Sequence, residues 1–213
     1  MHINNSSPVI IILLLFLAGC NPQIETLPFY NSADFTAEWI SKNEPAYKNI
    51  HTIDTFAMQN QLGHLITKDS LDGNIYVANF FFTICPGICP KMVSNLELLQ
   101  DTFANNPKVK LVSFSVMPWV DSVERLRVYG ENHNINPSKW FLLTGNKERI
   151  YKLGRQSYFS EKRLGLQKNS SEFLHTESML LIDNKGRIRG IYNATDKKEI
   201  DRVSGDIKLL LKE

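Results

Sequence analysis

The stretch Ile75-Tyr76-Val77-Ala78-Asn79-Phe80-Phe81-Phe82-Thr83-Ile84-Cys85-Pro86-Gly87-Ile88-Cys89-Pro90-Lys91 decides the fold. Its first eight residues are mostly aromatic or aliphatic, which predicts a buried strand over Ile75–Phe82. Pro90 then opens a helix. Its missing amide proton costs nothing in a first turn, and its ring disfavours α conformation at Cys89. Met92, Val93, Leu96, Leu99 and Phe103 follow at helical spacing and carry the helix to about Phe103. Cys85 therefore falls in a strand-to-helix loop and Cys89 near the helix N-cap. Free amides and the positive end of the helix dipole favour a thiolate there. Two thiols so placed can exchange disulfides or hold a soft metal.

Outward from this stretch, strand and helix signals alternate. His64–Thr67 reads as a strand and Asp72-Gly73 as a turn. After Asn105-Asn106-Pro107 ends the helix, Val109–Val116 is a second apolar, β-branched run. Asp121 or Ser122 caps a helix through Tyr129, where Gly130 weakens its end. Trp140–Leu143 is a third central strand, followed by a helix from Asn146 to about Leu153. Arg155–Glu172 is polar and aperiodic, and reads as an inserted loop or hairpin. Ser178–Ile182 and Ile188–Tyr192 flank Asp183-Asn184-Lys185-Gly186, a hairpin signal. Asp196–Leu211 is a terminal helix with Ile200, Val203, Ile207, Leu210 and Leu211 on one face. This order predicts an α/β fold of the thioredoxin-like sandwich type: a central mixed sheet flanked by helices, with an N-terminal extension and a loop inserted before the last hairpin.

The amino terminus bears on the compartment. Val9–Ala18 is almost wholly aliphatic, too short to span a bilayer and suited to the core of a signal peptide. It runs into Leu17-Ala18-Gly19-Cys20, which resembles the lipobox of bacterial lipoproteins, whose cysteine carries the lipid. No Lys or Arg precedes the apolar run, a departure from the usual basic start. This reading divides the chain into a signal peptide over 1–19, a lipid-anchored tether and extension over 20–50, and a thioredoxin-like domain over 51–213. The protein would then face the periplasm from a membrane of the cell envelope. The aromatics of the extension, Trp39 among them, are expected to dock on the domain.

Lipidation also settles the cysteine arithmetic. The chain has three cysteines, and Cys20 leaves one pair. A bridge between Cys85 and Cys89 would close a very short loop, which gains least from chain entropy, so the pair reads as functional. A net charge of +2, with no basic block, excludes nucleic acid as an implied partner. Hydrophobic content of 43% and charged content of 22% are those of an ordinary globular protein.

Of the five histidines, His175 stands apart. It lies just before the first strand of the late hairpin, and a thioredoxin-like sheet brings that loop beside the cysteine loop. Two thiolates and one imidazole are soft enough for Cu(I), and the nitrogen also suits Cu(II). An open fourth position fits a metal that is handed on. His2, His51, His64 and His133 read as surface or hydrogen-bonded residues.

Several motifs now resemble one family. Thr83-Ile84-Cys85-Pro86-Gly87-Ile88-Cys89-Pro90 is followed by Ser113-Phe114-Ser115-Val116-Met117-Pro118-Trp119-Val120-Asp121. Leu143-Thr144-Gly145 comes next, then His175 ahead of Leu180-Leu181-Ile182-Asp183. Together they are similar to the Sco/SenC family of copper-binding, thioredoxin-like proteins involved in cytochrome c oxidase assembly. The resemblance implies copper ligands at Cys85, Cys89 and His175 and, as partner, the copper-bearing oxidase subunit. Two positions depart from the family. Met117 stands where Asp commonly precedes Pro118, and Leu174 stands where Asp commonly precedes the histidine.

The leading reading is a copper chaperone or metallation factor rather than an enzyme. The alternative is a thiol–disulfide oxidoreductase that reduces the recipient's cysteine pair. Disulfide-exchange enzymes of this fold usually carry C-x-x-C and a late cis-proline, whereas the last proline here is Pro137. A peroxide-reducing reading needs an arginine beside the reactive thiol; Thr83 is present, but neither Arg155 nor Arg163 has an evident place there.

Overall fold

The computed structural model describes residues 26–160 and 176–213. At its centre is β5 (Ile75–Phe81), every residue of which is buried. It pairs in parallel with β6 (Val109–Ser115) and antiparallel with β8 (Ser178–Ile182). Outside these lie β7 (Trp140–Leu143), parallel to β6, and β9 (Ile188–Asn193), antiparallel to β8, giving the order β7-β6-β5-β8-β9. This is the mixed sheet expected from the alternation of signals.

The period-2 geometry of the strands divides the core into two layers. Ile75, Val77 and Phe81 of β5 face one side, where α1 (Cys89–Thr102), α2 (Val123–Asn132) and α4 (Lys197–Leu210) pack. Met92, Leu96 and Leu99 of α1 are fully buried there, each contributing about 1.5–3 kcal/mol by leaving water. Tyr76, Ala78 and Phe80 face the other side, against α3 (Lys147–Lys152), Tyr158, Phe159 and the short hairpin of β3 (Ala57–Gln59) and β4 (Leu65–Thr67). The turn into the last hairpin is held by Asp183, whose carboxylate accepts from the amides of Lys185 and Arg187. Gly186 supplies the positive φ of 76° that this turn requires.

Two boundaries differ from expectation. The α2 helix runs past Gly130 to Asn132; Gly130 keeps a helical conformation there and is buried beside Leu142 and Ile135. After α3 the chain continues as a π-turn over Leu153–Ser157, not as a polar loop. Tyr158 and Phe159 then enter the core, and the Tyr76 and Tyr158 hydroxyls meet at 3.1 Å. Isolated aromatics in a polar stretch carry no period, so sequence pattern could not place them. The rest of the expected insertion, from residue 161, lies outside the described residues.

The extension is part of the fold. β1 (Phe29–Tyr30) pairs with β2 (Ala37–Glu38), and a buried arginine clamps the chain entering β1. Arg189 donates to the carbonyls of Leu27 and Pro28, ion-pairs with Asp183 and Glu213, and lies 4.2 Å over the Phe29 ring. Arg187 pairs with Asp183 and stacks on Phe29 and Tyr47. Phe29 and Tyr47 dock as expected; Trp39 does not, and stays 66% exposed. Arg189→Ala leaves two carboxylates short of a buried partner and is expected to cost about 3–5 kcal/mol. Hydrogen exchange should show the Phe29–Glu38 amides losing protection beyond the loss at β5.

Candidate metal centre

The chain leaves β5 at Phe81 and turns at once, with the Cys85 amide donating to the Phe82 carbonyl. Cys85 precedes Pro86, which biases it to an extended conformation. Cys89 is the first residue of α1 and Pro90 the second, so the proline sits where no amide proton is needed. No side chain caps this helix, and its first amides stay free for another acceptor. That acceptor is sulfur. Cys85 takes hydrogen bonds from the amides of Gly87, Ile88 and Cys89, and the two thiols hydrogen-bond to each other. The structure thus brings Cys85 and Cys89 together as free thiols at the carboxyl end of the central parallel strands.

The two sulfurs are not equivalent. Burial works against ionisation of Cys85, but the Cys89 thiol and the three amides outweigh it and hold Cys85 below the ordinary thiol value. Burial pushes Cys89 up, and its bond to Cys85 and the charges of Cys85 and Asp121 add to this. Exposure follows the same order, with Cys85 at 8% and Cys89 at 3%. Cys85 is therefore the first thiolate and the more exposed of two buried thiols. At this end of the sheet Ile84 and Trp119 are 50% and 57% exposed, with the Lys147 ammonium over the Trp119 indole, and Tyr129 packs its ring 5.8 Å from Phe81.

Asp121 holds the loop in place, a role sequence reasoning missed. Its carboxylate is fully buried and accepts from Thr83 Oγ1 at 2.5 Å, the Thr83 amide at 3.2 Å and Ser115 Oγ at 2.6 Å. Ser122, not Asp121, caps α2 by accepting from the Arg125 amide. The available signal was the pair Ser113 and Ser115, polar residues two apart on one face of an apolar strand. Both are buried, and Ser113 bonds Asn79 and the Trp140 indole. The departure at Met117 falls in the turn that delivers Asp121. That turn is made by backbone, with the Met117 carbonyl accepting from the amides of Val120 and Asp121.

His175, Leu174 and Cys20 lie outside the described residues. β8 runs antiparallel to β5, so it enters the sheet at the end where β5 leaves it. Thr176, two residues before β8, is buried there. Among the described residues no three His, Cys, Asp or Glu side chains cluster closely enough to hold a metal ion. Two other histidines are engaged elsewhere: His51 Nε2 lies 2.8 Å from the Ser157 carbonyl, and His133 faces Glu97.

A mixed sheet of this order, with a cysteine pair at the central strand-to-helix junction, defines a thioredoxin-like protein. The chain belongs to the SCO1/SenC family, whose model matches residues 44–212. It is 30% identical to a SCO1/SenC family lipoprotein from Bacillus anthracis, covering 76% of this chain and 95% of that one with a TM-score of 0.66. BsSco, a member of the Sco family of cytochrome c oxidase assembly proteins in which a disulfide switch is identified, is 28% identical. That match covers 75% and 92% of the two chains with a TM-score of 0.64. ScoI of Arabidopsis thaliana, solved with copper bound, is 25% identical over 75% and 98% of the chains, with a TM-score of 0.58.

Two outcomes follow from this geometry. Titration of the reduced protein by thiolate absorbance should show one thiol ionising below the ordinary value and the second above it. Cys89→Ala, which removes the donor, should raise Cys85 toward that value. Asp121→Ala strands Thr83 and Ser115 and should cost about 3 kcal/mol in denaturant unfolding.

Proposed function

We propose that this protein is a copper metallation factor for the copper site of cytochrome c oxidase, holding copper through Cys85, Cys89 and His175. The observation that carries the reading is the thiol pair itself: two sulfurs in mutual contact, one nested in three amides, at a sheet end rimmed by exposed Ile84 and Trp119. Thiolates suit Cu(I), and an imidazole added to them extends the set to Cu(II). A low first thiol ionisation favours loading, because the metal must displace protons from its ligands. The copper-bound Arabidopsis relative supports copper as the cargo, and the description of BsSco supports the oxidase as recipient.

The second reading, a thiol–disulfide oxidoreductase acting on the recipient's cysteines, draws on the same asymmetry. A more exposed, readily ionised Cys85 beside a protonated Cys89 is the arrangement of an attacking and a resolving thiol. The disulfide switch of BsSco also supports it. Copper and a disulfide exclude each other at this pair, so the two activities would alternate.

For placement, we propose that Cys20 is lipidated and tethers the domain to a membrane of the cell envelope, on its periplasmic side. Among the described residues no helix is long and apolar enough to cross a membrane.

Copper loading of the reduced protein, with thiols counted before and after, tests the first reading. Cys85→Ala or Cys89→Ala should abolish stable Cu(I) binding. His175→Ala should weaken Cu(II) far more than Cu(I), because two thiolates hold Cu(I) in low coordination. Loss of oxidase activity on gene deletion, rescued by added copper, should accompany delivery. If His175→Ala restores oxidase fully under copper limitation while Cys85→Ala does not, the thiols act without a metal and the oxidoreductase reading replaces the first.

A further inference from the structure

The domain has a second pole, opposite its thiols. β5 spans about 20 Å at roughly 3.3 Å per residue, with the cysteines beyond its last residue. At its first end Tyr76 pairs with Ile182, which in turn pairs with Ile188, next to Arg189. Arg189 takes in the incoming chain through the carbonyls of Leu27 and Pro28. The amino-terminal segment thus joins the domain at the pole farthest from the metal centre.

A groove of about 430 Å³ opens there, lined by Thr26, Leu27, Trp39, Ile40, Lys42 and Lys212 among others. Trp39 is 66% exposed, although Phe29 and Tyr47 of the same extension are docked. An indole in water beside a half-buried isoleucine, with lysines on either side, has the composition of an interfacial anchor: aromatic at headgroup depth, cations toward phosphate. Neither Lys42 nor Lys212 makes an ion pair among the described residues. Of the nearby carboxylates, Glu213 is taken up by Arg189 and Glu44 accepts from the Ser41 amide.

Chain length identifies the occupant. Cys20 and Thr26 are six residues apart, a reach of at most about 22 Å at 3.3–3.6 Å per residue. With Cys20 lipidated, as proposed above and as this inference requires, the groove is held within that distance of the headgroups, close enough to reach them. We propose that this pole seats on the bilayer: Trp39 and Ile40 enter the interface, Lys42 and Lys212 meet anionic lipid phosphates, and the thiols point away from the membrane. The metal centre then stands about 20 Å or more above the surface and meets a recipient site carried at that height.

The test uses the full chain with its anchor, reconstituted in vesicles of phosphatidylethanolamine and phosphatidylglycerol whose acyl chains are brominated. Flotation with the vesicles reads the anchor, and loss of tryptophan emission to the bromines reads the face. Trp140 is fully buried in the core and silent to this contact quencher. The Trp119→Phe protein should lose emission in brominated against plain vesicles, and the Trp39→Phe protein should not. Lys42→Glu combined with Lys212→Glu should reduce the loss. A protein that floats while Trp119 is quenched instead, or while neither is, overturns the seating and leaves the anchor standing. A protein that does not float overturns the anchor, and the seating falls with it; copper binding by the same sample is a separate reading.

Discussion

The structure depends on one constraint: β5 is buried on both faces and hydrogen-bonded along both edges. A strand so placed has no solvent side to relieve a packing error, and its alternating residues commit every neighbouring element to one of two layers. Ile75, Val77 and Phe81 draw α1 and α4 to one face, while Tyr76, Ala78 and Phe80 draw Tyr158 and the β3–β4 hairpin to the other. The strand's polarity does the rest. Its last residue hands the chain to the cysteine loop, and its first end lies beside the arginine clamp.

That arrangement explains how two neutral-looking cysteines become unequal. The helix start offers three amides to one sulfur only, because Cys89 is itself the first helical residue and its own amide is one of the three. Burial then works on the sulfur left without them. Asp121 adds to the contrast. It pins Thr83 from the neighbouring strand's connection, so the loop keeps its shape, and its charge opposes a second thiolate at Cys89. Stabilising one anion and penalising two is what the carboxylate and the helix accomplish together. A metal cation, bringing its own charge, reverses that penalty.

Much of this was legible in the chain. Strands β5 to β9 and helices α1 to α4 follow from apolar periods and proline placement, and the thiol pair lies where Pro90 and the preceding strand put it. What escaped has no period. Phe29 and Tyr30 form a two-residue strand, and Arg189, which clamps the chain just before it, is some 160 residues away. Gly130 reads as a helix end, yet it lies buried inside α2. Asp121 reads equally well as a cap or as a buried acceptor, and only the fate of Thr83 and Ser115 separates the two. Trp39 was expected to dock, but exposure depends on neighbours no local pattern specifies. Cys20 and His175 lie outside the described residues.

The clamp at Arg189 has a kinetic side. Its bonds to Leu27 and Pro28 join segments 162 and 161 residues apart, among the widest separations in the fold. Closing such a loop from an open chain is entropically the most expensive of its contacts, whereas within a formed sheet the two ends already lie close. β1 is therefore expected to dock after β8 and β9 have paired. Because β1 is a two-residue strand outside the central sheet, opening of this amino-terminal strap would leave the strand that leads to the thiols paired on both edges.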